Sequence, residues 1–171
     1  DVGLWTRAIK LLRDTLGTFE QIQDSVMLDR SRDYEKQLDS LHDFVLKSLE
    51  DIPMESRILV TAHDAFGYFG AAYDFEVRGL QGLSTMSEFG LRDRVELVDM
   101  LARRNVKAIF VETSVSTQAI DAVIESAAER GHTVKIGGKL YSDAMGAPGT
   151  PEGTYIGMVR ANARTIAEGL K

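Results

Sequence analysis

Residues 57–80 read RILVTAHDAFGYFGAAYDFEVRGL, and this stretch decides the fold class. Ile58, Leu59, Val60 and Thr61 form a short apolar, branched run, the pattern of a strand buried on both faces. A helix pattern over 65–73 follows, and the chain returns to a strand pattern at 75–78. The same alternation continues downstream. Strands are predicted at 106–112 and 133–136, and helices at 91–104, 118–130 and 155–170. Gly131 stands at a helix C-terminus, where a left-handed residue costs glycine least. A Gly/Pro/Ser-rich loop is expected over 137–153. Strand–helix alternation of this kind means a four-stranded parallel sheet with right-handed crossovers, flanked by helices.

Upstream, residues 1–52 read as helical throughout and 53–171 as the α/β unit. Leu4, Ala8, Leu11, Leu12 and Leu16 recur at helical spacing, and Gly17 is the expected stop. Tyr34, Leu38, Leu41, Val45, Leu49 and Ile52 then form an apolar stripe along a long helix that Pro53 ends. At about 1.5 Å per residue, a helix over 33–51 is roughly 28 Å long. Periodicity alone leaves open whether it packs on the sheet or joins two lobes.

With 171 residues, the chain can build one full-sized α/β core but not two. A net charge of −6 argues against a nucleic-acid surface, because no basic stripe is present to neutralise phosphates. Cysteine is absent, so any metal site must use His, Asp and Glu. No apolar run reaches the roughly 18 residues of a membrane span. The amphipathic pattern begins at residue 1 with no leader, so a piece of a longer chain is expected.

Ligands of an open parallel sheet bind beyond the carboxyl ends of its strands. That rule brings together His63 and Asp64, Gln81 and Gly82, then Glu112, Thr113 and Ser114, and finally Tyr141, Ser142 and Asp143. An imidazole and carboxylates on one edge suit metal binding or acid–base chemistry. Each also has a plainer reading. His63 alone is more often a hydrogen-bonded structural residue, Asp64 fits a helix N-cap, and Asp143 fits a turn brace. Glu112 ends a buried strand and needs a partner there. His42 reads as solvated or structural, and His132 lies at the opposite sheet edge. There is no GxGxxG after a strand, no P-loop and no GxSxG elbow, and Gly137–Gly138 is a weak phosphate-loop signal. His-Asp pairs at 42–43 and 63–64 occur in metal phosphohydrolases, but those are all-helical and the four strands argue against that class. No enzyme is predicted.

In order along the chain stand ILVTAHDAFGYF (58–69), VRGLQGLST (77–85), AIFVETS (108–114), GGKLYSDAMG (137–146) and GTPEGTYIGMVRANARTI (149–166). Together they resemble the C-terminal half of the zinc- and manganese-binding periplasmic solute-binding proteins of ABC importers, the TroA-like family. The resemblance implies a Rossmann-like lobe, joined to a second lobe by a long rigid helix, with a transported Zn2+ or Mn2+ held between them. The metal ligands it implies are His63 in the AHDAF block and Asp143 in the YSD block. Glu112 is expected behind them, orienting His63 or a loop hydroxyl, as metal sites commonly arrange. Some relatives carry Glu at the first position, a change associated with manganese; here it is His63. Two further histidines of the family, one in a DPHxW-like motif, belong upstream and are not in this sequence, so the pair is half a site. The partners implied are the metal ion, a membrane permease and the missing N-terminal lobe. The compartment implied is periplasmic or extracellular, free or lipid-anchored. The alternatives are a surface adhesin, in which the sheet-edge residues are incidental, and a metal-dependent hydrolase.

Overall fold

The computed structural model describes residues 1–19, 25–81, 91–112 and 118–171. Four strands alternate with helices: β1 (Ile58–His63), α3 (Gly67–Tyr73), β2 (Glu76–Gln81), α4 (Leu91–Arg103), β3 (Ala108–Glu112), α5 (Gln118–Glu129), β4 (Lys135–Leu140) and α6 (Tyr155–Leu170). Two helices precede them, α1 (Val2–Leu16) and α2 (Ser25–Leu49). The sheet is fully parallel, in the order β2-β1-β3-β4. The chain therefore moves outward from β1 to β2, then crosses back to β3 on the other side of β1. Strand order reverses between β1 and β3, which places the ligand crevice of a doubly wound sheet at their carboxyl ends.

Side-chain alternation splits the interior into two cores. Ile58, Val60 and Ala62 of β1 and Ile109 and Val111 of β3 pack with Val98 and Leu101 of α4 and Ile120 and Val123 of α5. On the other face, Leu59 and Phe110 pack with Leu38, Leu41, Val45 and Leu49 of α2 and with Ala163 and Ile166 of α6. By the same two-residue period, His63 and Glu112 belong to this second face.

The central strands are buried along their length, as expected, but β4 is an edge and half exposed. The loop expected from residue 137 begins later. Ile136 pairs with Ile109 and Gly138 with Phe110, so Gly137 is the extra residue of a β-bulge within β4. A Cβ on Gly137 would lie 2.9 Å from the Phe110 ring, so the glycine makes room for that ring rather than marking a loop.

The long helix carries the predicted stripe, with Leu38, Leu41, Val45 and Leu49 buried. It starts earlier than expected, and at about 1.5 Å per residue its 25 residues span roughly 37 Å. The helix expected up to Gly17 is present as α1, but the leucines that recur along it are not its buried residues. Leu11 and Leu12 are 69% and 54% exposed, and the buried residues are Val2 and Thr6. Arg13, paired with Glu35 of α2, lies on that inner side, so a polar pair holds α1 against α2 where leucines were expected. Gly17 caps α1 in right-handed geometry (φ −65°), whereas Gly131 after α5 has the predicted left-handed φ of 74°.

Three helices meet at Tyr73, whose hydroxyl lies 3.1 Å from His42 Nδ1 and is reached by the Val2 backbone amide. Burial pushes this hydroxyl up to about 12, and does the same to Tyr155. His42 is thus structural. His132 bonds the Val106 carbonyl at the far sheet edge, away from the crevice, as its position in the sequence implied.

Candidate metal centre

β1 ends on His63 and β3 on Glu112, so the two strands that flank the switch point each present a polar residue there. The His63 backbone N–H donates to Glu112 Oε1 at 2.9 Å. The second carboxylate oxygen, Oε2, lies 2.7 Å from the imidazole Nδ1. That is ion-pair distance without the alignment of a full hydrogen bond, and neither buried atom has another partner among the described residues. The other ring nitrogen, Nε2, faces Asp143 Oδ2 at 3.3 Å. The side chains grade from inside outward: Glu112 is 0% exposed, His63 16% and Asp143 65%.

A carboxylate sunk in a core is costly unless its oxygens are used. Here both oxygens turn to one residue, which fixes His63 at main chain and ring together. With Nδ1 facing a carboxylate acceptor, the Nε2 lone pair is the one left to point outward, the arrangement by which proteins commonly orient a metal-binding imidazole.

The turn after β1 is held from two more sides. Thr61 Oγ1–H donates to the His63 carbonyl at 2.8 Å, and the Ala65 N–H reaches the same oxygen at 3.1 Å. Across the sheet, Gly79 of β2 lies so close that a Cβ there would come within 2.6 Å of the Asp64 nitrogen and 2.8 Å of the His63 carbonyl carbon. Asp64 itself is exposed and does not cap α3, whose N-cap is Phe66 with no side-chain bond. The N-cap expectation fails because the helix begins at Gly67, two residues later than the pattern suggested.

On the β4 side, Asp143 lies in the turn after Leu140. The backbone of Tyr141 is gripped on both sides of its Cα by Asn162 of α6: the Tyr141 N–H donates to Oδ1 at 2.9 Å, and Nδ2–H donates to the Tyr141 carbonyl at 2.7 Å. Asn162 is buried, and sequence reasoning missed it. The available signal was an amide at residue 162 among Val159, Ala163 and Ile166, a polar residue on the packed face of a helix.

His63, Glu112 and Asp143 are therefore brought together, and Tyr141 and Ser142 flank them. Gly82, Thr113 and Ser114 lie outside the described residues, as does the side chain of Gln81. Among the described residues no group of three or more His, Asp or Glu side chains surrounds one point in a way that could hold a metal. What the edge offers outward is one imidazole nitrogen and one carboxylate, with a second carboxylate behind the ring.

A match to the family described as zinc-uptake complex component A, periplasmic (ZnuA), runs over residues 1–169. The manganese-binding lipoprotein MntA of Bacillus subtilis is 49% identical over 170 residues, covering 99% of this chain and 56% of that protein. The zinc-binding protein TroA of Treponema pallidum is 45% identical over 170 residues, 99% of this chain and 55% of that protein. The solved structure of the periplasmic zinc-binding protein TroA from Treponema pallidum superposes with a TM-score of 0.91, over 99% of this chain and 61% of that one. The chain thus spans about half the length of the curated relatives it matches.

Proposed function

Since the chain belongs to the ZnuA family of periplasmic zinc-uptake components, we propose that it is the C-terminal lobe of an extracytoplasmic solute-binding protein, which captures Zn2+ or Mn2+ for an ABC importer. His63 Nε2 and Asp143 are the ligands this lobe supplies, and Glu112 orients the imidazole. The observation that carries the reading is the placement of His63 at the switch point, with Nδ1 2.7 Å from a buried carboxylate and Nε2 turned to Asp143. Relatives named for binding manganese and zinc support the choice of cargo.

The donor set fits a divalent cation. A neutral imidazole contributes no charge, so Asp143 in contact and Glu112 behind the ring together offset the ion's two positive charges. Exchangeable zinc needs about three protein ligands or more and structural zinc four, so a pair is an incomplete site. The remaining donors come from the other lobe. In this reading α2 is the inter-lobe strut. Its buried residues begin only at Leu38, which leaves its N-terminal half to reach past the α/β core, and residues 1–52 and 53–171 are the two segments on either side of that junction. No described helix is long and apolar enough to cross a membrane. The protein delivers its cargo to a membrane permease and carries out no chemistry on it.

The test is competitive titration of Zn2+ and Mn2+ on the full-length protein with His63→Ala and Asp143→Ala. Each variant is expected to lose about tenfold or more in affinity, the scale at which even the outer partners of metal ligands matter. Wild-type affinity in either variant would falsify the ligand assignment.

A further inference from the structure

Four polar or charged side chains are buried among the described residues: Thr6, Thr61, Glu112 and Asn162. Thr6 bonds the backbone of its own helix at Val2. The other three all hold the two turns at the carboxyl edge: Thr61 the His63 carbonyl, Glu112 the His63 amide and ring, and Asn162 the Tyr141 peptide. Burying polar groups is unfavourable unless they are bonded, and an apolar residue of similar size would pack these positions at less cost. The interior therefore concentrates its polarity on the backbone that carries His63 and Asp143.

We infer that Asn162 is the positioning residue for Asp143. This rests on the reading of Asp143 as a ligand. The amide contacts the Tyr141 N–H and C=O, one group from each of the two peptide units that meet at its Cα, so it holds the backbone on both sides of Tyr141, as a neighbouring strand would. Tyr141 is the first residue past β4, where ladder bonds to β3 end at the Glu112–Leu140 pair. Asn162 extends the tethered backbone one residue beyond the sheet, leaving only Ser142 between the tether and Asp143. The Asp143 side chain is 65% exposed and cannot be placed by packing. Anchoring its backbone helps to set its location relative to His63 Nε2, 3.3 Å away. Asn suits the task better than Asp or Ser, since one planar group supplies both an acceptor and a donor at fixed separation.

The test is a set of double-mutant cycles in the full-length protein, with Zn2+ and Mn2+ affinity as the readout and thermal unfolding without metal as the control. Asn162→Ala is expected to weaken binding about tenfold or more beside native Asp143, and to retain that effect in a His63→Ala background. In an Asp143→Ala background it should have no further effect on affinity, while still lowering the metal-free melting temperature. A residue that only stabilises the fold would not show this selective loss. If Asn162→Ala does not fold, Asn162→Ser, which keeps a hydroxyl at the position, takes its place in the same cycles. Wild-type affinity in the Asn162 variant, alongside weakened Asp143→Ala, overturns the proposal alone. So does an equal fold-loss with and without Asp143. Wild-type affinity in Asp143→Ala removes the ligand reading, and this inference with it.

Discussion

Replacing Glu112 with Gln changes one oxygen to an NH2 group with almost no change in volume, and the geometry allows the outcome to be worked through. The site asks for two acceptors: Oε1 takes the His63 N–H at 2.9 Å and Oε2 faces Nδ1 at 2.7 Å. Glutamine offers one acceptor and one donor. If its oxygen keeps the backbone N–H, its NH2 faces Nδ1 and demands a lone pair there. The ring proton then moves to Nε2, which removes the lone pair that faces outward. If the amide flips, the His63 N–H meets an NH2 and a buried donor is left unpaired. Either way one charge-assisted contact to the carboxylate is lost, on the scale of about 1.5–3 kcal/mol. At about 1.4 kcal/mol per tenfold, that corresponds to roughly a 10- to 100-fold fall in metal affinity. The assay is competition with a chelating dye for Zn2+ and Mn2+, on Glu112→Gln protein whose metal-free unfolding confirms that it is folded. Affinity within about twofold of wild type, in folded protein, would refute the orienting role of Glu112.

Two further outcomes concern the scaffold. Gly79→Ala sets a methyl group 2.6–2.8 Å from the backbone of His63 and Asp64, and main chain cannot swing aside as a flexible side chain can. A loss of about 1–3 kcal/mol is expected, read as a melting-temperature fall of about 2–4 °C per kcal/mol; an unchanged melting temperature would show that the turn moves freely. The second outcome concerns alkaline pH. Burial raises Tyr73 and Tyr155 to about 12 in the folded protein, against the ordinary tyrosine value of 10.0. Between those values the unfolded chain has released protons that the folded one keeps. Stability is therefore fully present below pH 10 and falls as pH rises toward about 12. Tyr73→Phe should show a shallower decline in melting temperature across that window, and an equal decline would mean that other groups cause it.

The strand–helix alternation from Arg57 onward was readable because buried parallel strands and amphipathic helices leave different periods in the sequence. Carboxyl-edge placement of His63, Glu112 and Asp143 followed from topology. The likeness of the AHDAF and YSD blocks to the TroA-like family went further than periodicity could, and the match over residues 1–169 bears out that resemblance. What failed depended on tertiary contacts. Both faces of α1 carry apolar residues, and the face that turns inward carries Val2, Ile9 and the Arg13–Glu35 pair, which a hydropathy pattern does not show. Gly137 and Gly138 looked like loop residues because the groups that demand their missing side chains, the Phe110 ring at Gly137 and Thr165 at Gly138, are distant in sequence. Asn162 was hidden for the same reason, since its partner is a backbone peptide 21 residues away.

His63 and Glu112 are 49 residues apart in the chain and meet only when β3 docks beside β1. The β1–β2 pairing is more local and imposes no such wait. Closing the longer loop costs entropy before its contacts repay it, and topologies dominated by such pairings fold slowly. A nascent chain with its first βαβ unit formed thus has a histidine whose ring is free to rotate. The imidazole is locked only at the non-local step, so its orientation reports that β3 has docked beside β1 rather than that secondary structure has formed.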